Sequence, residues 1–286
     1  MSWNEGHAAV AVLSFDVDAE SAILAHSRRY ADNAMVMTHQ AFGPRVGVPR
    51  ILALLADFDL PATFFVPGLT ADRYPETVEA ILEAGHEVGH HSYSHRSHTV
   101  LTPDEQRADF DRALAALDAR GVRPVGHRAA MWDATWLTPQ LVAEHGLDYD
   151  SSLMDADTPY MLDTGKGTIA ELPVHWSLDD WEQYAFLPDP MIGAVIESPA
   201  KVYEMWTAEI DAMRRHRSLF VLTCHPFLSG RASRIENLRR VIEFALGRGD
   251  VGFYSAREVA ALAAADASLP TRPLVPVEVD PAVYPD

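Results

Sequence analysis

The chain has 286 residues, 48 % of them apolar, and 41 acidic against 23 basic side chains give it a formal charge of −18. That charge repels nucleic-acid phosphates and anionic lipid, and no stretch approaches the roughly 18 uninterrupted apolar residues of a membrane helix, so neither nucleic acid nor membrane is an expected partner. A single cysteine, Cys224, excludes an intramolecular disulfide.

The length allows two small domains or one large α/β barrel, and we expect one domain over 1–286. Met1 to His7 lacks the basic and apolar segments of a secretory signal, which makes the cytoplasm the expected location. A homo-oligomer acting on a small-molecule or sugar substrate is the expected state.

In chain order, Ala8 to Phe15 is a short apolar, β-branched run ending in Asp16-Val17-Asp18, the pattern of a buried strand that delivers carboxylates at its end. Ala62 to Val66, bounded by Pro61 and Pro67-Gly68, repeats it. Pro75 to Ala84 reads as a helix, with Pro75 suited to its first turn and Gly85 to its stop, and a strand at Glu87 to Gly89 follows. Thr102-Pro103-Asp104-Glu105 is a capping-box signature for a helix reaching about Arg120. Further strands are expected at Val125 to His127, Glu171 to Val174, Leu219 to Thr223 and Val251 to Tyr254, with helices at Thr138 to His145, Lys201 to Arg217 and Ile235 to Leu246.

Strand and helix therefore alternate, which implies a parallel sheet covered by helices. About seven such units favour closure or near-closure into a distorted TIM-like (β/α) barrel over an open sheet. Two connections, Ala19 to Val48 and Met154 to Ser198, are too long for simple turns and are candidate substrate walls. From about residue 266, most plainly from Leu269 onward, the chain reads as an extended C-terminal arm.

Asp16 and Asp18 sit two apart, so alternation sends both side chains to one side, where their repulsion needs compensation. A metal supplies it, although a lone Asp-x-Asp is as readily a turn or a helix cap. His91-Ser92-Tyr93-Ser94-His95 places two imidazoles four apart, a spacing that brings them together on a helical turn or in a tight loop; a solvated polar loop is the alternative. Asp-His-His leaves a coordination position open, as a catalytic ion needs.

These segments resemble the motifs of the polysaccharide deacetylase (NodB-homology) family. Ser14-Phe15-Asp16-Val17-Asp18 is similar to the first motif and Gly89-His90-His91-Ser92-Tyr93-Ser94-His95 to the second. Gly126-His127-Arg128-Ala129-Ala130-Met131-Trp132 is similar to the third, and Leu222-Thr223-Cys224-His225 to the last. The resemblance implies that Asp18, His91 and His95 hold one divalent ion, zinc by the O,N,N donor set. It makes Asp16 the catalytic base, Arg128 the group that orients it, and His225 the general acid, with His90 behind the ligands. Without it, Arg128 reads as a surface pairing residue and His225 as a satisfied strand-end histidine. Cys224 is expected to be inert in the barrel wall.

The sequence also departs from the family pattern. Val17 separates the two acids, and Ala129-Ala130 stand where a proline is expected after the arginine. Together with Phe42-Gly43-Pro44-Arg45-Val46-Gly47-Val48-Pro49-Arg50, this resembles the divergent intracellular branch that includes peptidoglycan-deacetylase-like proteins and cyclic imide and allantoin hydrolases. Trp176, Trp181 and Tyr184 read either as core or as aromatics that stack on a sugar or cap a small ring. Asp179 or Asp180 is expected to pair with His225, with Asp180 favoured, and Arg231 reads as a substrate contact or a surface arginine. The expected activity is hydrolysis of a carbon–nitrogen amide bond in an acetamido sugar. Opening of a cyclic imide or ureide is the alternative, and a sugar-binding module on the same fold is the non-enzymatic one.

Overall fold

The structure is a computed structural model that describes residues 2–280 and 282–284; Met1 and, in the C-terminal arm, Pro281, Pro285 and Asp286 lie outside the described residues. The first strand, β1 (Ala9–Asp16), is buried at every position, as a strand covered on both faces requires. It is followed by β2 (Thr63–Val66), β3 (Glu87–His90), β4 (Gly126–His127), β5 (Tyr149–Asp150), β6 (Tyr160–Asp163) and β7 (Thr168–Glu171). A two-stranded hairpin, β8 (Leu187–Pro188) and β9 (Met191–Ile192), precedes β10 (Leu219–Cys224), β11 (Val251–Phe253) and β12 (Thr271–Pro273).

The ten-stranded sheet runs β10-β1-β2-β3-β4-β5-β7-β6-β12, with β11 also on β1. Within it β10, β1, β11, β2, β3, β4, β5 and β7 are joined by parallel pairs, so the parallel strands number eight against the expected seven. β6 pairs antiparallel with β7. The ladder does not close continuously. One bridge between Asp179 and Thr223, with the Asp180 N–H donating to the Thr223 carbonyl at 3.0 Å, ties the segment after β7 to β10.

The alternating pattern located β1, β2, β3, β4, β10 and β11 within a residue or so. The expected strand at Glu171 to Val174 is displaced, because β7 ends at Glu171. β5 has only two residues, too few for a periodic signal, and β6 falls inside Met154 to Ser198, which reads as a connection. The first long connection is largely helical, with helices at Ala34–Phe42 and Val48–Phe58 joined by a π-helical turn at Gly43–Gly47. The arm is extended but its start is not free: Thr271–Pro273 pairs with β6.

Two glycines fix close approaches near the future site. A Cβ on Gly126 would lie 1.8 Å from the Tyr149 ring, which crosses the barrel interior and donates from its hydroxyl to Glu87 Oε1 at 3.0 Å. A Cβ on Gly47 would lie 2.1 Å from the Pro226 carbonyl oxygen, so the π-helical turn packs directly beneath the turn that carries His225.

Candidate metal centre and active-site pocket

Asp16 ends β1, and the Val17 N–H continues the ladder by donating to the Phe65 carbonyl at 2.9 Å while its side chain enters the core. Asp16 and Asp18 consequently face one pocket, as the spacing predicted. Asp18 is buried, and among the described residues neither of its carboxylate oxygens has a hydrogen-bond donor. Around it stand three imidazole nitrogens: His91 Nε2 at 3.4 Å from Oδ1, and His95 Nε2 at 3.3 Å and His225 Nε2 at 3.5 Å from Oδ2. Burial alone would raise the Asp18 carboxyl, but these imidazoles, His95 foremost, hold it well below the usual carboxylate range.

A buried carboxylate without a donor is costly unless a cation sits beside it. Asp18, His91 and His95 each offer one atom, all within 4.8 Å of one another, and one oxygen with two imidazole nitrogens is a donor set that suits a divalent ion with an open position. These residues fit the ion that the sequence implied.

The two histidines come from the loop after β3, not from a helix. Ser92 and His95 adopt left-handed conformations at φ 54° and 56°, uncommon for side chains of this kind, so that the loop folds back on itself. Asp109 holds it by accepting from the N–H groups of Tyr93 and Ser94 at 2.8 and 3.1 Å. His91 Nδ1 donates to the Arg128 carbonyl at 2.8 Å, which leaves Nε2 free to face Asp18. His90 points elsewhere, its Nε2 3.2 Å from the Phe110 carbonyl.

Arg128 is fully buried. Its Nη1 donates to Asp16 Oδ1 at 2.8 Å and to Ser14 Oγ at 2.9 Å, its Nη2 to Ser151 Oγ at 3.2 Å, and its Nε to the Ser151 carbonyl at 3.3 Å. The Phe65 ring lies under the guanidinium at 4.2 Å. Nearby, Met131 and Trp132 are left-handed at φ 57° and 52°, which turns the chain after Arg128 toward the pocket mouth.

His225 follows β10. Its Nδ1 donates to Asp180 Oδ1 at 2.7 Å, its backbone N–H donates to the same oxygen at 2.9 Å, and the Ser229 hydroxyl donates to Asp180 Oδ2. Asp179 Oδ1 is farther from Nδ1, at 3.5 Å. Burial would lower the imidazole, but the Asp179 charge and the bond to Asp180 outweigh it and raise His225 to about 10. Burial in turn raises Asp179 to about 7.

These groups form the floor of a recess of about 380 Å³. Its walls come from both long connections, Ala22 and His26 from the first and Trp176, Trp181, Met191 and Ile192 from the second. Trp176 tilts against Trp132 with ring centroids 4.9 Å apart. Asp180 is not a lining residue but lies behind His225. Arg231 is not a lining residue either: its guanidinium stacks on Phe42 at 3.7 Å, with Nη2 3.1 Å from His39 Nδ1. Tyr184 is buried in the core. The sequence reading did not single out Met131, Trp132, His26, Glu182 or Met191 as lining residues; for Trp132, its place in the segment after Arg128 was the available signal.

The family model for polysaccharide deacetylase matches residues 31–149. A peptidoglycan deacetylase of Helicobacter pylori is 30 % identical over 229 residues, covering 71 % of this chain and 78 % of that protein. The chain belongs to the polysaccharide deacetylase family. A peptidoglycan deacetylase-like protein of Gibberella zeae is 26 % identical over 256 residues, 77 % of this chain and 76 % of its own. Among solved structures, a Mycobacterium smegmatis protein assigned as a polysaccharide deacetylase superposes with a TM-score of 0.94 at 46 % identity, covering 98 % of both chains. An allantoinase superposes with a TM-score of 0.80 over 93 % of both chains at 23 % identity, a likeness of fold. As a polysaccharide deacetylase relative, the chain is a hydrolase of carbon–nitrogen amide bonds, and no helix among its described residues is long and apolar enough to cross a membrane.

Proposed function

We propose that the chain removes the acetyl group from an N-acetylated amino sugar, with Asp16 as general base, His225 as general acid, and Asp18, His91 and His95 as ligands of one zinc ion. The observation that carries this is Asp18, a buried carboxylate with no donor on either oxygen and three imidazole nitrogens 3.3–3.5 Å away. A divalent ion bound there supplies Lewis-acid chemistry.

The chain's own residues supply the rest. Arg128 occupies Asp16 Oδ1, so Oδ2 is the oxygen left to take a proton from the attacking water. Asp180 fixes His225 through Nδ1, so Nε2 faces the pocket carrying the proton that the departing nitrogen needs. Trp176 and Trp181 give the recess aromatic walls on which a substrate can stack. The buried lone thiol of Cys224 is in keeping with a cytoplasmic site of action.

A second reading, opening of a cyclic imide or ureide by the same groups, is favoured by one feature: both long connections wall the recess, which suits a compact ligand. The deciding assay gives metal-loaded enzyme N-acetylglucosamine oligomers and succinimide- or hydantoin-type rings. Acetate release supports the deacetylase. Ring opening at kcat/KM above about 10⁴ M⁻¹s⁻¹ without acetate release supports the second reading and ends the first.

A further inference from the structure

Glu171 closes β7 opposite Asp150, its register partner on β5, and both are fully buried. Glu171 Oε1 accepts the backbone N–H groups of Ser152 at 3.1 Å and Leu153 at 2.9 Å. Asp150 Oδ1 accepts from His127 Nδ1 at 2.7 Å and from Ser152 Oγ at 2.9 Å. Ser152 Oγ in turn accepts the Ala129 N–H at 2.9 Å. The turn that these two carboxyls hold is the one whose Ser151 carbonyl and hydroxyl accept from Arg128.

We propose that Glu171 is a positioning residue for the reaction: by holding the Ser151–Leu153 turn it fixes the Arg128 guanidinium and, through it, Asp16. The proposal rests on the reading of Asp16 as the base. Arg128 reaches its partners from a fully buried position, so its placement is set by the acceptors that surround it. Two of those acceptors belong to Ser151, and among the described residues Glu171 alone satisfies the next two N–H groups of that turn. Without Glu171 both donors would be buried and unmet, which costs enough to reshape the turn. A shift of about 1 Å at Arg128 is then transmitted to Asp16, and misplacements of that size cost on the order of 10²-fold in rate.

The arrangement needs the carbonyl-type acceptor of Glu171, not its charge. Asp150 Oδ2 and Glu171 Oε2 each lack a partner among the described residues, and the contact to the turn runs through Glu171 Oε1 alone. Burial, reinforced by the Asp150 charge, pushes Glu171 well above the usual carboxylate range, in line with a neutral group. Glutamine preserves the acceptor.

The test compares Glu171→Ala, Glu171→Asp and Glu171→Gln with the wild type for kcat, KM, bound metal and thermal midpoint. Alanine or aspartate at position 171 should lower kcat by roughly 10–100-fold, the usual range for residues that orient a reacting group, with KM and metal content unchanged. Glu171→Gln should restore most of kcat. Wild-type kcat in Glu171→Ala, or a Glu171→Gln enzyme as slow as Glu171→Ala, overturns the proposal. If Glu171→Ala fails to fold, Glu171→Asp decides, since its shorter side chain withdraws the acceptor from the Ser152 and Leu153 N–H groups, and an unchanged kcat there overturns it. Asp16→Asn, run alongside, separates the two levels. Should Asp16→Asn keep wild-type kcat, the base assignment fails and takes this proposal with it; a slow Asp16→Asn with a fast Glu171→Ala defeats the proposal alone.

Discussion

His225 and Asp180 are joined twice through one oxygen: Asp180 Oδ1 accepts both the imidazole Nδ1–H at 2.7 Å and the His225 backbone N–H at 2.9 Å. The pair fixes ring orientation and tautomer together and adds negative charge beside a buried ring. With Asp179 it keeps His225 protonated to about 10, against the pull of burial. Activity that needs this proton is therefore full at neutral pH and is lost as pH rises through the histidine's pKa. Asp180→Asn removes a charge and should move the alkaline limb of kcat/KM to lower pH while lowering kcat. A pH–rate profile of the variant checks this, and an unmoved limb would assign it to another group.

The ion should stabilise the fold as well as serve the reaction, because it offsets the desolvated charge of Asp18. A ligand that binds only the folded state adds about 2.7 kcal/mol at a hundred times its Kd. Zinc should thus raise the thermal midpoint of metal-free wild type and leave His91→Ala and Asp18→Asn nearly unmoved. Elemental analysis of the same samples should find about one ion in wild type and little in the variants. Equal metal in all three would remove Asp18 and His91 from the ligand set.

Arg128 cannot be exchanged for lysine. Its three nitrogens reach Asp16, Ser14 and two atoms of Ser151 from one plane, and an ammonium at the end of a flexible chain cannot span that set. Arg128→Lys should lose much of the roughly 10²–10⁴-fold that a general base contributes, seen as a fall in kcat at constant KM. A variant with wild-type kcat would show that Asp16 is positioned without it.

The parts of this arrangement legible in the sequence are those written in a local code. A buried strand ending in two acids, and two histidines four apart, depend on residues adjacent in the chain, and the structure brings Asp16, Asp18, His91 and His95 to one pocket. The sequence favours Asp180 over Asp179 as the partner of His225, and the bridge that sets Asp180 beside the imidazole, Asp179–Thr223, is a contact between segments far apart in sequence. β5 has two residues and no period, so the Ser151 acceptors of Arg128 had no sequence signature. Arg231, close after His225, reads as a substrate contact or a surface arginine, and what decides its place is not local: Phe42, beside the π-helical turn at Gly43–Gly47, takes up its guanidinium.

Trp176 tests what the pocket wall does. It is 48 % exposed and leans on Trp132 with centroids 4.9 Å apart. Truncation to alanine should leave the metal and the Arg128–Asp16 pair intact, so kcat should change little. What is lost is a ring face at the rim, and aromatic contacts of this kind are worth about 0.5–1.5 kcal/mol, which converts to a roughly 2–10-fold rise in KM. A rise in KM at constant kcat means binding shared equally by ground and transition states, the signature of a wall. Measuring Trp176→Ala on N-acetylglucosamine oligomers of increasing length gives the sharper result. A wall that stacks on the unit being cleaved raises KM by the same factor at every length, whereas a wall that grips a neighbouring unit raises it only for the longer oligomers. A fall in kcat with KM unchanged would instead place Trp176 in the positioning of the reacting amide.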